Sequence, residues 1–229
     1  MMLQGKTMLF ALLSDTHSLQ AFIDDSALAK ADMILVAGDI SNPRDSTKNL
    51  IEVENALEWL NSFNKPVVLT PGNHDVSFER NLVDYSKYKN IHVLIHQEKV
   101  INDIVFFGSP YTPTFGTGWA YNKDRKKLDR VWSQISEDVE VLITHGPPKG
   151  ILDSTNVPGT KYVEKVGCKS LLNHVFRIEP KLHVFGHIHD EPHIFNSGSR
   201  RYNNIDFVNA SIMKNGTLTI NDPILYTYL

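Results

Sequence analysis

Apolar residues in this chain fall into short blocks rather than long stripes. Met8–Leu13 (MLFALL), residues 33–37 (MILVA), 67–70 (VVLT), 139–144 (VEVLIT) and Leu182–Phe185 (LHVF) are each continuous or nearly so. Blocks of this length, rich in Ile, Leu and Val, fit strands buried on both faces. Helical spacing appears between them. From Ser46 the pattern predicts a helix with Leu50, Val53, Leu57 and Leu60 on one stripe, and Ala56 and Phe63 beside it. Further helices are predicted over 19–30, 122–135 and 168–178, and 78–89 reads as helix then loop. In the second of these, Leu128, Val131, Trp132 and Ile135 point inward and the Lys/Arg cluster forms a solvated face. Segments 91–95, 99–101 and 104–108 read as three short strands, the last two joined by a turn at Asn102-Asp103. The C-terminal part reads as hairpins: Ile194-Phe195, a turn over 196–198, a strand over 202–210, then 217–220 and 224–228. Two long loops, 109–121 and 149–161, interrupt the pattern. Loops of this length in compact domains are often functional.

The five blocks share one feature: each ends abruptly in polar residues. The exits are Asp15-Thr16-His17, Gly38-Asp39, Gly72-Asn73-His74-Asp75, His145-Gly146 and Gly186-His187-Ile188-His189. Ligands of open α/β sheets bind beyond the carboxyl ends of strands. If the five strands neighbour one another, Asp15, His17, Asp39, Asn73, His74, His145, His187 and His189 converge on one cleft. Gly38, without a Cβ, lets other groups approach the strand exit closely. Carboxylate, imidazole and amide oxygen without thiolate suit Mn, Fe or Zn better than Mg. With His74 set aside, the seven remaining ligands exceed one tetrahedral site and match two cations with open positions. A shared carboxylate would hold the pair about 3.5–4 Å apart, and Asp39, with no second ligand beside it, is the natural bridge.

Composition narrows the rest. The 229 residues carry a formal net charge of −3 and 41% hydrophobic residues, which fits a single α/β domain over 1–229. The charge offers no basic field for an anionic membrane or an extended nucleic-acid track. One cysteine, Cys168, excludes an internal disulfide and fits a reducing compartment; its place on a helix makes it structural. Lys6 before the apolar block 8–13 has the look of a short signal peptide. The block is brief, no small-residue cleavage site follows, and a strand is the better reading. No apolar run approaches the ~18 residues of a membrane span, so a soluble cytoplasmic protein is expected.

Taken together and in order, the five exit motifs resemble the signature of calcineurin-like metallophosphoesterases. The runs LITHGPPKGILD and GCKSLLNHVFRIEPKLHVFGHIH are similar to the metallophosphoesterase-domain-containing branch of that family. The resemblance implies an α/β fold, a four-layer αββα sandwich of two mixed β-sheets flanked by helices. It implies that Asp15, His17, Asp39 and His189 hold a first metal ion, and that Asp39, Asn73, His145 and His187 hold a second. His74 would face the phosphate as the catalytic group assisting departure of the alcohol. The implied reaction is attack on a small phosphoester by a hydroxide shared by the metals. A phosphodiester is favoured and cyclic nucleotides are among the analogues. A phosphomonoesterase or pyrophosphohydrolase with the same site is the alternative. A non-catalytic scaffold on this fold ranks below both, because every expected ligand is present.

The chain departs from the family's Ser/Thr phosphatases after Asp39. Ile40-Ser41-Asn42-Pro43-Arg44 lacks the Asp that would orient His74, and Arg44 stands one place later than the phosphate-binding Arg of those enzymes. Asp75 is a candidate orienter or a loop cap. Tyr111, Phe115, Trp119 and Tyr121 either stack on a nucleobase or pack beneath the long loop. His193 is a candidate for the cleft rim, and His183 reads as packing. No substrate-binding residue is assigned.

Overall fold

A computed structural model describes residues 7–229; Lys6 lies outside the described residues. In chain order the elements are β1 (Met8–Leu13), α1 (Ser26–Lys30), β2 (Met33–Val36), α2 (Ser46–Ser62), β3 (Val67–Leu69), α3 (Val76–Glu79), β4 (Ile91–Val93), β5 (Gln97–Ile101), β6 (Ile104–Ser109), β7 (Thr112–Pro113), β8 (Asn122–Lys123), α4 (Arg125–Trp132), β9 (Val141–Thr144), β10 (Ser154–Asn156), β11 (Val163–Lys165), α5 (Lys169–Ile178), β12 (Leu182–Phe185), β13 (Gly198–Tyr202), β14 (Ile205–Asn209) and β15 (Ile224–Tyr228).

Two mixed sheets are built on the same plan. The first has the order β15-β1-β2-β3-β4 and the second β13-β14-β12-β9-β6-β5. Within them β1 to β4 run parallel, as do β14, β12, β9 and β6, while β15, β13 and β5 are antiparallel edges. Side chains alternate between two dry layers. Phe10, Leu12, Met33 and Leu35 face Phe106, Val141, Ile143 and Val184 across the interior between the sheets. Their neighbours Ala11, Leu13, Ile34 and Val36 pack outward under α2 through Val53, Leu57 and Leu60. On the other side Leu142, Phe185 and Phe207 pack under α4 and α5 through Trp132, Leu171 and Val175. The result is the four-layer αββα sandwich, and it explains why the strand blocks are almost wholly apolar. A bridge between Ser14 and Ser211, with the Ile212 N–H donating to Ser14 O at 3.0 Å, ties β1's exit to β14's. The parallel strands of both sheets therefore deliver their carboxyl ends to one edge.

Several expected elements are shorter or elsewhere. The 19–30 helix becomes a single 3-10 turn at Gln20–Phe22 followed by α1, because the Asp24 carboxylate accepts from the Ser26 N–H and hydroxyl and breaks the run. The 122–135 helix starts at Arg125, where Asp124 caps it by accepting from the Lys126 N–H; Asn122–Lys123 pairs instead with Thr112–Pro113. The 202–210 strand is two strands, split at Asn203 in the left-handed conformation, and Ile194-Phe195 forms no strand. Residues 217–220 are not a strand, since the Thr217 hydroxyl bonds to Lys214 O and the Thr219 segment and holds a local turn. The turn at Asn102-Asp103 is present with both residues left-handed, as a two-residue hairpin requires.

The layer between the sheets is the part of the fold most sensitive to volume. Phe10 is fully buried there, with its ring 5.2 Å from Tyr228 and 6.4 Å from Phe106. Phe10→Ala is expected to destabilise the protein by roughly 3–5 kcal/mol, read as a lower urea midpoint at unchanged m. A shift below 1 kcal/mol would mean that the two sheets collapse to fill the space.

Candidate metal centre

The strand exits are bent hard, and the bends aim the polar groups. Asp15 (φ 55°), His17 (φ 42°), Asp39 (φ 54°) and His187 (φ 69°) all adopt the left-handed backbone region, at about 1–3 kcal/mol each. The surrounding hydrogen bonds fix them there. The Asp15 N–H donates to Gly38 O at 2.9 Å and the His17 N–H to Asp39 O at 3.0 Å. The His187 N–H donates to the Asp15 carboxylate and the His74 N–H to Asp39 Oδ1 at 2.7 Å. Gly38 is needed for a close approach: a Cβ there would sit 2.7 Å from both Gly72 N and His145 Nδ1. The group it admits is protein, the next strand's exit and the His145 ring.

Three overlapping groups of side chains place their ligand atoms within 4.8 Å of one another: Asp15, His17 and His189; His17, Asp39 and His74; and Asp39, His145 and His187. Asn73 joins the last through its Oδ1, 2.8 Å from His145 Nε2. All eight residues read from the sequence therefore meet in one place. His74 lies within ligand reach of the same cluster, beside His17 and Asp39. His193, by contrast, is exposed and belongs to no such group.

The ring nitrogens are arranged by their outer partners. His145 Nδ1–H donates to Ala37 O at 2.8 Å, which turns Nε2 toward Asp39 Oδ2 at 3.4 Å. His189 Nδ1–H donates to Asn215 Oδ1 at 3.2 Å, and its Nε2 lies 3.3 Å from Asp15 Oδ1. Neither nitrogen of the His17 ring has a hydrogen-bond partner although both are buried. Asp15 and Asp39 are buried too. Burial alone would raise both carboxyls; the imidazoles of His189 beside Asp15 and of His145 beside Asp39 outweigh it and carry both below the usual carboxylate range. For His145, burial opposes protonation, yet Asp39 and Asp15 push it up to about 9. His187 goes the other way, to about 3, through burial and the neighbouring His145. Two buried carboxylates, an orphaned imidazole and an amide oxygen facing an imidazole nitrogen form a set that demands positive charge. A proton on His145 meets part of that demand, and divalent cations fit the same set of donors.

A second layer of groups was not evident from the sequence. His74 is oriented by a main-chain carbonyl, Asn42 O, 2.9 Å from its Nδ1. Asp75 instead accepts from the Gly72 N–H, the Ser41 N–H and the Ser41 hydroxyl. Burial and nearby Asp39 raise its carboxyl to about 6. Asn49, on the buried face of α2, donates to His74 O, Pro43 O and Ser41 Oγ and accepts from the Ser77 N–H. It lies one place before Leu50 of the apolar stripe, and its polarity hid it. Arg44 lies flat on Trp119, 3.5 Å from the ring centroid, and Trp119 packs on His74 at 4.5 Å. Of the four loop aromatics, Trp119 and Phe115 border the centre, while Tyr121 is buried and Tyr111 packs beneath the loop.

The model of the calcineurin-like phosphoesterases matches residues 8–191, the span that holds all eight convergent residues. The chain belongs to that family. It is 33% identical to human metallophosphoesterase domain-containing protein 1 over 94% of its length and 69% of that protein. It is 30% identical to a UPF0046 protein of Caenorhabditis elegans over 93% of its length and 73% of that protein. Among solved structures the fold is similar to phosphopantetheinyl hydrolase from Mycobacterium tuberculosis, with a TM-score of 0.58 at 14% identity, covering 94% of this chain and 95% of that one. A Thermus thermophilus protein gives a TM-score of 0.59 at 13% identity over 89% of each chain. Membership makes the chain a phosphoester hydrolase by class, and the His/Asp groups mark a divalent-metal site. Among the described residues no helix is long and apolar enough to cross a membrane.

His183 supports the His145 turn from behind. The Thr144 hydroxyl donates to Gly146 O at 2.8 Å, so it accepts from His183 Nε2–H, also at 2.8 Å. His183 Nδ1 is left bare among Phe185 and Phe207, and burial lowers the ring's pKa to about 3. The folded state therefore resists a proton that the unfolded chain accepts near 6.5. Stability is full above that pH and falls by roughly 1.4 kcal/mol per unit below it. In metal-free protein, His183→Leu is expected to flatten the decline in urea midpoint between pH 6.5 and 4. A decline as steep as that of wild type would assign the effect to other groups.

Proposed function

We propose that this chain is a dinuclear metal-dependent phosphodiesterase acting on a small phosphodiester. The observation that carries the reading is the position of Asp39, whose carboxylate belongs both to the group with His17 and to the group with His145 and His187. On this reading Asp15, His17, Asp39 and His189 hold one cation, and Asp39, Asn73, His145 and His187 the other. Mn, Fe or Zn suits these oxygen and imidazole donors. Such cations, when bound, supply Lewis acidity that brings the pKa of water toward neutrality and offsets charge on the phosphoryl oxygens.

The chain's own groups do the rest. Nδ1 of His74 is engaged by Asn42 O, so Nε2 is the nitrogen open to the cleft and to a departing alkoxide. Asn49 and the Ser41–Asp75 pair fix the backbone on both sides of that ring. Arg44, held flat by Trp119, offers a planar cation for phosphate oxygens beside His74. No thiol or hydroxyl nucleophile is needed. Cys168 is buried as the cap of α5, accepting from the Leu171 N–H, and a lone cysteine is compatible with a cytoplasmic setting.

Mn-loaded protein is expected to cleave bis(p-nitrophenyl) phosphate faster than p-nitrophenyl phosphate, and a chelator to stop both. Faster monoester cleavage would favour a phosphomonoesterase with the same site. His74→Ala is expected to keep its metal and to lose about 10²–10⁴ in kcat, whereas Asp39→Ala loses activity together with metal. Loss of metal from His74→Ala would make His74 a ligand.

A further inference from the structure

A slot beside His187 has no part in the reading above. It encloses about 290 Å³, near the lower end of the roughly 300–1,000 Å³ of ligand pockets, which is room for one ring-sized group. Phe115, Pro113, Pro147, Val166 and Ile188 give it an apolar lining, and Arg125 is its one charged side chain. The Phe115 ring lies 5.0 Å from the His187 ring at 52° and is half exposed. Arg125 is positioned by donating to Gly167 O at 3.3 Å and Val166 O at 3.0 Å. Among the described residues its Nε–H has no partner, so it can still bind an acceptor.

The place of the slot decides which part of a substrate it meets. His74 packs on His17 and Trp119, at 4.6 and 4.5 Å. His187 packs on His145 and Phe115, at 4.9 and 5.0 Å. The two histidines thus belong to different groups around Asp39, and the Phe115–Trp119 pair, 5.7 Å apart, joins them as one wall. With the leaving alcohol on the His74 side, the substituent on the His187 side is the one that stays on phosphorus.

We infer that this slot holds the retained alcohol group of the diester and selects a flat, weakly polar ring with a hydrogen-bond acceptor at its edge. The inference rests on the phosphodiesterase reading and adds the substrate class to it. In the reaction a water oxygen bonds to phosphorus, the bond to the leaving alcohol breaks, and that alcohol departs with a proton. The retained ring stays on the monoester product, seated in the slot. A monoester substrate has nothing to fill it.

The test compares bis(p-nitrophenyl) phosphate with methyl p-nitrophenyl phosphate on Mn-loaded protein. Both release the same leaving group and differ only in the group retained. Their intrinsic reactivities differ, so the readout is the ratio of kcat/KM, aryl over methyl, in each variant relative to wild type. Phe115→Ala removes one wall, and Val166→Trp fills the space from another. With metal content equal to wild type, the ratio is expected to fall about tenfold or more in both. An unchanged ratio in Phe115→Ala overturns the inference and leaves the phosphodiesterase reading standing. Failure of wild type to cleave either diester in a metal-dependent way overturns both.

Discussion

The Asp39 carboxylate is the group on which the centre depends. It is buried, its backbone is held left-handed, and it faces His17, His145 and the His74 N–H at once. A second buried carboxylate, Asp15, stands nearby and disfavours its charge. Two such acids in a dry edge between sheets are costly unless positive charge joins them. The fold supplies that charge in part through imidazoles and leaves the His17 ring with nothing to bond. Charge demand of this kind distinguishes a metal centre from a network of satisfied core polar groups.

The sheets make this arrangement possible. Parallel strands from both sheets end at the same edge, so residues as distant in sequence as Asp15 and His187 share a hydrogen bond. Alternate side chains along β1, β2, β3, β9 and β12 belong to two different dry layers, so the interiors of these strands are apolar except for His183. Chemistry is thereby confined to the ends. The loops beyond the exits then differentiate the cleft: 41–49 sets His74 and Arg44, and 109–121 brings Phe115 and Trp119 against the centre.

Much of this was legible in the sequence because it follows from local pattern. Apolar blocks ending in Asp, Asn or His gave the strands, their order of use and the set of polar groups that meets at the edge. The missing parts depend on tertiary placement. Asn42 orients His74 through a carbonyl, which any residue could supply, so no side-chain pattern marks it. Asn49 sits where helical periodicity asks for an apolar residue and does its work through four hydrogen bonds. The failed strand at 217–220 and the shortened α1 were lost to side-chain bonds of Thr217 and Asp24, local competitors that apolar periodicity does not register. Phe115 and Trp119 could not be told from Tyr111 and Tyr121 by type, since only the course of the loop decides which rings reach the cleft.

The most direct test of the account is anomalous diffraction from crystals of the Mn-loaded protein. Two cation peaks about 3.5–4 Å apart, one on each side of the Asp39 carboxylate, are the expected result. A single peak, or a pair that Asp39 does not bridge, would contradict the proposed dinuclear centre.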